Sequence, residues 1–410
     1  MANINKDIRP QSKSSSTKLP RNIWAMGFVS LFNDISSEMI YPIVPIFLKT
    51  VLGAPATIIG LIEGIAESTA SLMKLVSGWI SDRLKKRKIF VTFGYSLSGL
   101  SKLLMALAKS WPFVLFARFI DRFGKGARVS ARDALILESV EPANRGRAFG
   151  LHRAMDSLGA VIGPILALIL IIMFNDNYPK IFFLAFIPSV VGVLTLMIFV
   201  KEKKKDFAPI TTSASVPRQL NLKFKWSELD KNFRFFLIVS LIFAIGNSSD
   251  AFLILRAQNL GMTLTLTIAT YVLYNLTYSL FSYPIGIISD KIGPKKVLLF
   301  GFWLFTLVYL GFGLTHSSLW IWILFPIYGI YMALTDGVSR AYIAQTVATD
   351  KSGTAFGAYQ MVIGICVLAA SLIAGALWYY INPGAAFIFG ALMAGIAAIL
   401  FSLHKDEIKA

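Results

Sequence analysis

Apolar stretches about 20 residues long follow one another through nearly the whole chain, and they constrain its fold more than any other feature. Crossing ~30 Å of hydrocarbon takes about 20 residues of α-helix. Twelve such runs can be traced, from 23–48 and 56–80 at one end to 354–380 and 384–404 at the other. With no water in a bilayer core, the backbone must satisfy its own hydrogen bonds, and runs of this length do so as helices. Only 15% of the 410 residues are charged, against about 25% in an average soluble domain. The expectation is an all-α integral membrane protein with the lipid bilayer as its solvent.

The short gaps between the runs alternate in charge. One set reads DRLKKRK (82–88), EPANRGR (141–147) and DKIGPKK (290–296), together with the basic segment that follows position 200. The other set holds only Lys49, Lys109, Lys180 and Arg256. Positive residues mark the cytoplasmic side, and an even number of spans puts both termini there. This predicts a multi-pass protein of the bacterial cytoplasmic (inner) membrane. The net charge of +18 is therefore a topology signal, and no nucleic-acid partner is expected. The first run contains Asp34 and Glu38 and lacks a small-residue cleavage site, so it reads as a retained span.

Residues 201–233 form the one long gap. Their Lys, Pro, Ser and Thr content suggests a solvated connector. The chain then divides into a cytoplasmic tail (1–22), an N-terminal bundle of six helices (23–200), the linker (201–233), a C-terminal bundle of six helices (234–404) and a short cytoplasmic tail (405–410). The halves repeat one another. GWISDR at 78–83 returns as GIISDK at 286–291, and RAFG at 147–150 returns as TAFG at 354–357. Two matches at nearly one offset argue for duplication, hence for two pseudo-symmetric six-helix bundles, a plan that places binding sites near the midplane.

Against this apolar background, residues 118–133 carry seven charges: Arg118, Asp121, Arg122, Lys125, Arg128, Arg132 and Asp133. At 100° per residue they fall within an arc of about 140° on one helix face. A charge facing lipid at the bilayer centre costs about 2.5–3.5 kcal/mol, so the stripe must face water, partners or substrate. Acids for it to meet are Asp34 and Glu38 in the first run, Glu63 and Glu67 in the second and Asp156 in the fifth. Asn247 and Asp250 in the seventh run add polar groups, and Asp336 and Arg340 in the tenth are spaced as an i,i+4 pair. The polar excess lies in the N-terminal half, which is expected to carry the coupling, with the C-terminal half supplying apolar contact.

The repeated loop resembles the signature of the major facilitator superfamily between helices two and three, here as Gly78, Asp82 and Arg83 and again as Gly286, Asp290 and Lys291. The resemblance covers the whole length. It implies that Asp82 meets the start of helix eleven and Asp290 that of helix five, where positive helix N-termini attract carboxylates, and that these contacts hold a gate. Gly150, Gly159, Gly163 and Pro164 match a fifth-helix pattern of the drug/proton antiporters, although Ala167 and Leu168 replace its last glycines. Gly159 and Gly163 lie four apart on one face, and Pro164 removes a backbone donor. Arg122, Lys125 and Gly126 resemble a fourth-helix pattern in which the arginine is linked to coupling or substrate contact.

Metal and enzyme chemistry find no support. Cys366 stands alone and precludes an intrachain disulfide, and His152, His316 and His404 show no ligand spacing. No nucleotide-binding loop or nucleophile elbow is present, so no cofactor is expected. The reading is a monomeric secondary transporter working by alternating access. The fifth-helix pattern suggests a proton-coupled antiporter exporting amphipathic small organic molecules. The alternatives are a carrier of an anionic metabolite or siderophore, in either direction, and a non-transporting sensor. Asp34, Glu38, Asp121 and Asp156 are the expected proton-coupling residues. Arg118, Arg122, Lys125, Glu63, Glu67, Asn247 and Asp250 are the expected substrate contacts. Gly78, Asp82, Arg83, Gly286, Asp290, Lys291, Gly159, Gly163 and Pro164 are the expected gating residues. Arg122 is expected to pair with Asp34 or Glu38.

Overall fold

Proline and short polar side chains set most helix starts. Pro45, Pro112, Pro179, Pro294 and Pro383 occupy first-turn positions, where the missing N–H costs nothing. Asn177, Asp230, Thr263 and Asn382 accept from first-turn backbone N–H groups, satisfying donors that the helix leaves open. The computed structural model describes residues 19–84, 86–141, 144–202, 230–347 and 352–404.

Among the described residues there are fourteen α-helices: α1 (Arg21–Ile40), α2 (Val44–Thr50), α3 (Ala56–Leu84), α4 (Arg87–Ala106), α5 (Trp111–Ser139), α6 (Arg145–Phe174), α7 (Tyr178–Phe199), α8 (Lys231–Gly246), α9 (Ala251–Asn259), α10 (Leu264–Ile292), α11 (Pro294–Leu314), α12 (Ile321–Thr346), α13 (Ser352–Tyr380) and α14 (Pro383–Leu403). Two spans are broken helices. Between α1 and α2 lie Tyr41, Pro42 and Ile43, where Pro42 and Pro45 each remove a ladder donor. Between α8 and α9 lies the polar run Asn247, Ser248, Ser249 and Asp250. Counting each broken pair as one gives the expected twelve membrane helices.

Nine of these are long and apolar enough to span a membrane by composition alone, among the described residues. The other three are α1 with α2, α5 and α10. Their ionised, phenolic and hydroxyl side chains lower their hydropathy, and these same three spans meet at the polar centre described below.

The two bundles are related as the sequence repeat implies. Helix α6 packs on α1 of its own half and on α10 of the other. Its repeat counterpart α13 packs on α8 of its own half and on α3 of the other. Closest approach between halves lies along α3 and α13, on the side away from the chain termini (the far face). A Cβ added to Gly375 would come within 2.6 Å of the Ala56 carbonyl oxygen, and one added to Gly364 within 2.6 Å of Ser71 Cβ. Ser68 Oγ donates to the Gly364 carbonyl at 2.5 Å. Toward the terminal face, Gly150, Gly286 and Gly337 have open space where a side chain would be. The halves are thus closed together on the far face.

Candidate functional site

Buried charge concentrates in the N-terminal half, and most of it is paired. The Arg118 guanidinium donates to both oxygens of Glu63 at 2.8 and 2.6 Å, with both side chains almost fully buried. Arg122 pairs with Glu67 at 2.9 Å. Lys102, a fully buried lysine on α4, bonds Asp121 at 2.7 Å and Ser37 at 3.2 Å. Arg128 donates to Ser98 Oγ at 2.6 Å and lies 4.5 Å over the Tyr95 ring. Arg132 pairs with its neighbour Asp133 at 2.9 Å. The stripe on α5 therefore faces α3 and α4 as well as the centre, which is why it is tolerated within an apolar shell.

A polar cavity remains. Its lining comes from Asp34, Ser37 and Glu38 of α1, Tyr41 beyond it, and Arg118, Asp121, Arg122, Lys125 and Arg128 of α5. Tyr41 lies beneath both guanidiniums, its ring centroid 5.6 Å from Arg118 and 5.7 Å from Arg122. Asp34 and Lys125 make no hydrogen bond or ion pair with a described residue. Arg122 does not bond Asp34 or Glu38. That expected pairing is corrected: α3 presents Glu67 to Arg122, whereas the nearest side-chain partner of Glu38 comes from the opposite half, Tyr271 Oη at 3.0 Å.

Helix α6 fixes where those α1 acids stand. A Cβ at Gly159 would lie 2.9 Å from Asp34 Cβ, and one at Gly163 would lie 2.7 Å from Glu38 Cβ. The two glycines form a seat for the two acids, one turn apart. Pro164 is buried beside them in α6. One turn nearer the terminal face, Asp156 accepts from Ser30 and stands 3.5 Å from His152 Nδ1.

The C-terminal half adds Asp250 at the α8–α9 break. Its carboxylate accepts from Tyr328 at 2.7 Å and from Tyr274 at 3.3 Å. Asn247 donates to Tyr331 at 3.3 Å, and Ser249 Oγ lies 3.5 Å from Glu63 across the two halves. Nearer the terminal face, Arg153 of α6 reaches Asp336 of α12 at 2.5 Å, and Tyr278 of α10 donates to the same carboxylate at 2.8 Å. Arg340 joins Asp336 at 3.3 Å, the spacing read in the sequence.

The loop motif is less engaged. The side chains of Asp82 and Arg83 lie outside the described residues. Gly78 packs on α5, a Cβ there meeting Ser130 Cβ at 3.2 Å. A Cβ at Gly286 would meet no atom within 4 Å. Asp290 is exposed and makes no contact of the expected kind with a described residue. Lys291 is exposed in the last turn of α10. Sequence reasoning missed Lys102 and the tyrosines. A lone lysine inside SLSGLSKLLMALA was a legible sign, as were Tyr271, Tyr274 and Tyr278 at helical spacing.

The profile of the Major Facilitator Superfamily matches residues 26–271 and 249–409. The chain belongs to this superfamily. An uncharacterised MFS-type transporter of Methanocaldococcus jannaschii is 38% identical over 398 residues, covering 95% of this chain and 96% of the relative. The multidrug resistance protein MdtG of Proteus mirabilis is 25% identical over 163 residues, 39% of this chain and 40% of that protein. Among solved structures, a POT family transporter in complex with a thioalcohol conjugated peptide superposes with a TM-score of 0.79 at 13% identity, over 95% of this chain and 97% of the other. The nucleoside transporter NupG gives 0.71 at 13%, over 93% and 99%. These two establish the fold alone. The superfamily member is a secondary transporter, not an enzyme.

Proposed function

We propose that the protein is a proton-coupled antiporter of amphipathic small organic molecules, with Asp34 and Glu38 as the coupling carboxylates. The observation that carries this reading is the position of these two acids on the cavity with no cation in contact among the described residues, while Glu63, Glu67 and Asp121 each hold one. A buried carboxylate lacking an ion pair gains most from taking a proton, and its charge then changes the balance between states. Asp121, tied to Lys102, anchors α4 to α5 and stands outside the coupling set. Asp156 extends the acid row toward the terminal face. Aromatic rings around Asp250 supply the apolar side of the substrate site. The partial likeness to MdtG supports export.

The test is reconstitution in vesicles with an imposed pH gradient and ethidium as the amphipathic probe. Wild type accumulates ethidium against its gradient. Glu38→Gln or Asp34→Asn stops uphill accumulation and spares downhill exchange. Unchanged uphill accumulation in both single variants would remove these acids from the mechanism. Lys125, a cavity cation without a hydrogen-bond or ion-pair partner among the described residues, favours a second reading, carriage of an organic anion. Stabilisation by citrate but not ethidium in a thermal-shift assay would select it.

The linker expected at 201–233, of which 203–229 lie outside the described residues and the last three open α8, joins the two halves in this proposal, and both termini face the cytoplasm, as the basic loops favour.

A further inference from the structure

Glu38 is joined to the C-terminal half by a single hydrogen bond. Tyr271 of α10 donates to it at 3.0 Å, and no other described residue hydrogen-bonds or ion-pairs with that carboxylate. Its retreat is blocked from behind, because Gly163 of α6 leaves no more than the space of its own missing side chain. The Tyr271 ring is itself held. It is 4% exposed and stacks on Tyr41 with centroids 5.8 Å apart and planes 29° apart. The phenol is therefore presented to the carboxylate by packing and does not depend on that bond for its place. The charged groups facing Glu38 are Lys125, Arg122 and Arg118 from α5, Asp34 from α1, and Asp250 from the α8–α9 break. None is in hydrogen-bond contact with it.

We propose that Tyr271 reads the ionisation of Glu38 and passes it to α10. This rests on the reading of Glu38 as a coupling carboxylate. An ionised Glu38 accepts a charge-assisted bond, roughly twice as strong as a neutral one. A proton on Glu38 leaves only a neutral contact and loosens α1 from α10. Helix α10 packs against α12 in its own half and against α6 across the interface, so this tie acts where the halves must rock. The ligand of the switch is the proton, and Tyr271 gives it different contacts in the two states, as any shift of population requires. Tyr271 is thus a positioning residue for coupling, whatever the transported molecule is.

The test uses spin labels at Arg147→Cys and Ile292→Cys, at the terminal-face ends of α6 and α10, in a Cys366→Ser background. Inter-label distances are recorded in nanodiscs across a series from acid to alkaline pH. The unsubstituted residues at 38 and 271 give a distribution that shifts with pH. Glu38→Gln holds the acid form at every pH. Tyr271→Phe keeps the ring and its stacking, loses the hydroxyl, and reduces the pH-dependent shift at least several-fold. Adding Tyr271→Phe to Glu38→Gln changes nothing further. If Tyr271→Phe responds to pH like the parent while Glu38→Gln is fixed, the role of Tyr271 is overturned and the coupling carboxylate stands. If Glu38→Gln itself still responds like the parent, the coupling reading at Glu38 fails. Monodisperse elution of each variant separates these outcomes from misfolding.

Discussion

Arg118 and Arg122 lie one turn apart on α5 and each holds a glutamate of α3, yet their surroundings differ. The Glu63 side chain is 1% exposed and that of Glu67 33%. Removing one partner of a buried pair leaves an uncompensated charge and costs about 3–5 kcal/mol, whereas exposed pairs contribute about 0–1 kcal/mol. Glu63→Gln should therefore lower the thermal unfolding midpoint in detergent much more than Glu67→Gln. Equal shifts would mean that the two pairs are equally solvated. The sequence marked the stripe, since charges within 140° of arc could not face lipid, and of the five acids it offered as partners Glu63 and Glu67 pair with the stripe's arginines while Asp34, Glu38 and Asp156 do not. It could not assign the pairs. Which acid meets Arg122 depends on how α1 and α3 are rotated about their axes, and residue spacing carries no such information. Lys102 escaped notice because a single charge has no periodicity.

At the scale of elements, the informative contact is α1 on α6. Gly159 and Gly163 were legible as a small-residue face, but the identity of their guests was not, because packing partners are set by tertiary structure. The breaks at Pro42 and at Asn247–Asp250 were likewise hidden inside apolar runs long enough to cross a membrane unbroken. The seat makes a prediction. In Gly163→Ala, the new methyl would meet Glu38 Cβ at 2.7 Å and the Ile35 carbonyl oxygen at 2.8 Å, and backbone cannot move aside cheaply. Helix α1 should shift, carrying Glu38 away from Tyr271. Proton-driven ethidium uptake should fall several-fold, while Gly150→Ala, which meets no atom within 4 Å, leaves it near wild type. Normal uptake by a well-folded Gly163→Ala protein would show that the position of Glu38 is not critical.

The whole molecule is two bundles held by unequal contacts. On the far face, α3 and α13 approach through Gly60, Gly64, Gly364 and Gly375 almost to backbone contact, and α2 touches α9. Toward the terminal face, the Arg153–Tyr278–Asp336 cluster bridges the halves amid open space. Close glycine packing forfeits dispersion steeply when wedged apart, whereas a partly exposed ion pair contributes little. The present state should therefore be held mainly by the far-face packing. Gly375→Val places a branched side chain against the Ala56 carbonyl and the Thr57 backbone and should favour the state open to the far face. A cysteine at Ser37, on the cavity wall, in a Cys366→Ser background, reports this. With an impermeant maleimide outside intact cells, its labelling should rise several-fold in Gly375→Val. A control cysteine at Ser318, on the far-face turn before α12, should label in both backgrounds if the termini are cytoplasmic. Asp336→Asn should leave Ser37→Cys as protected as the parent. An unchanged rate in Gly375→Val, or a large rise in Asp336→Asn, would place the restraint on the terminal face instead.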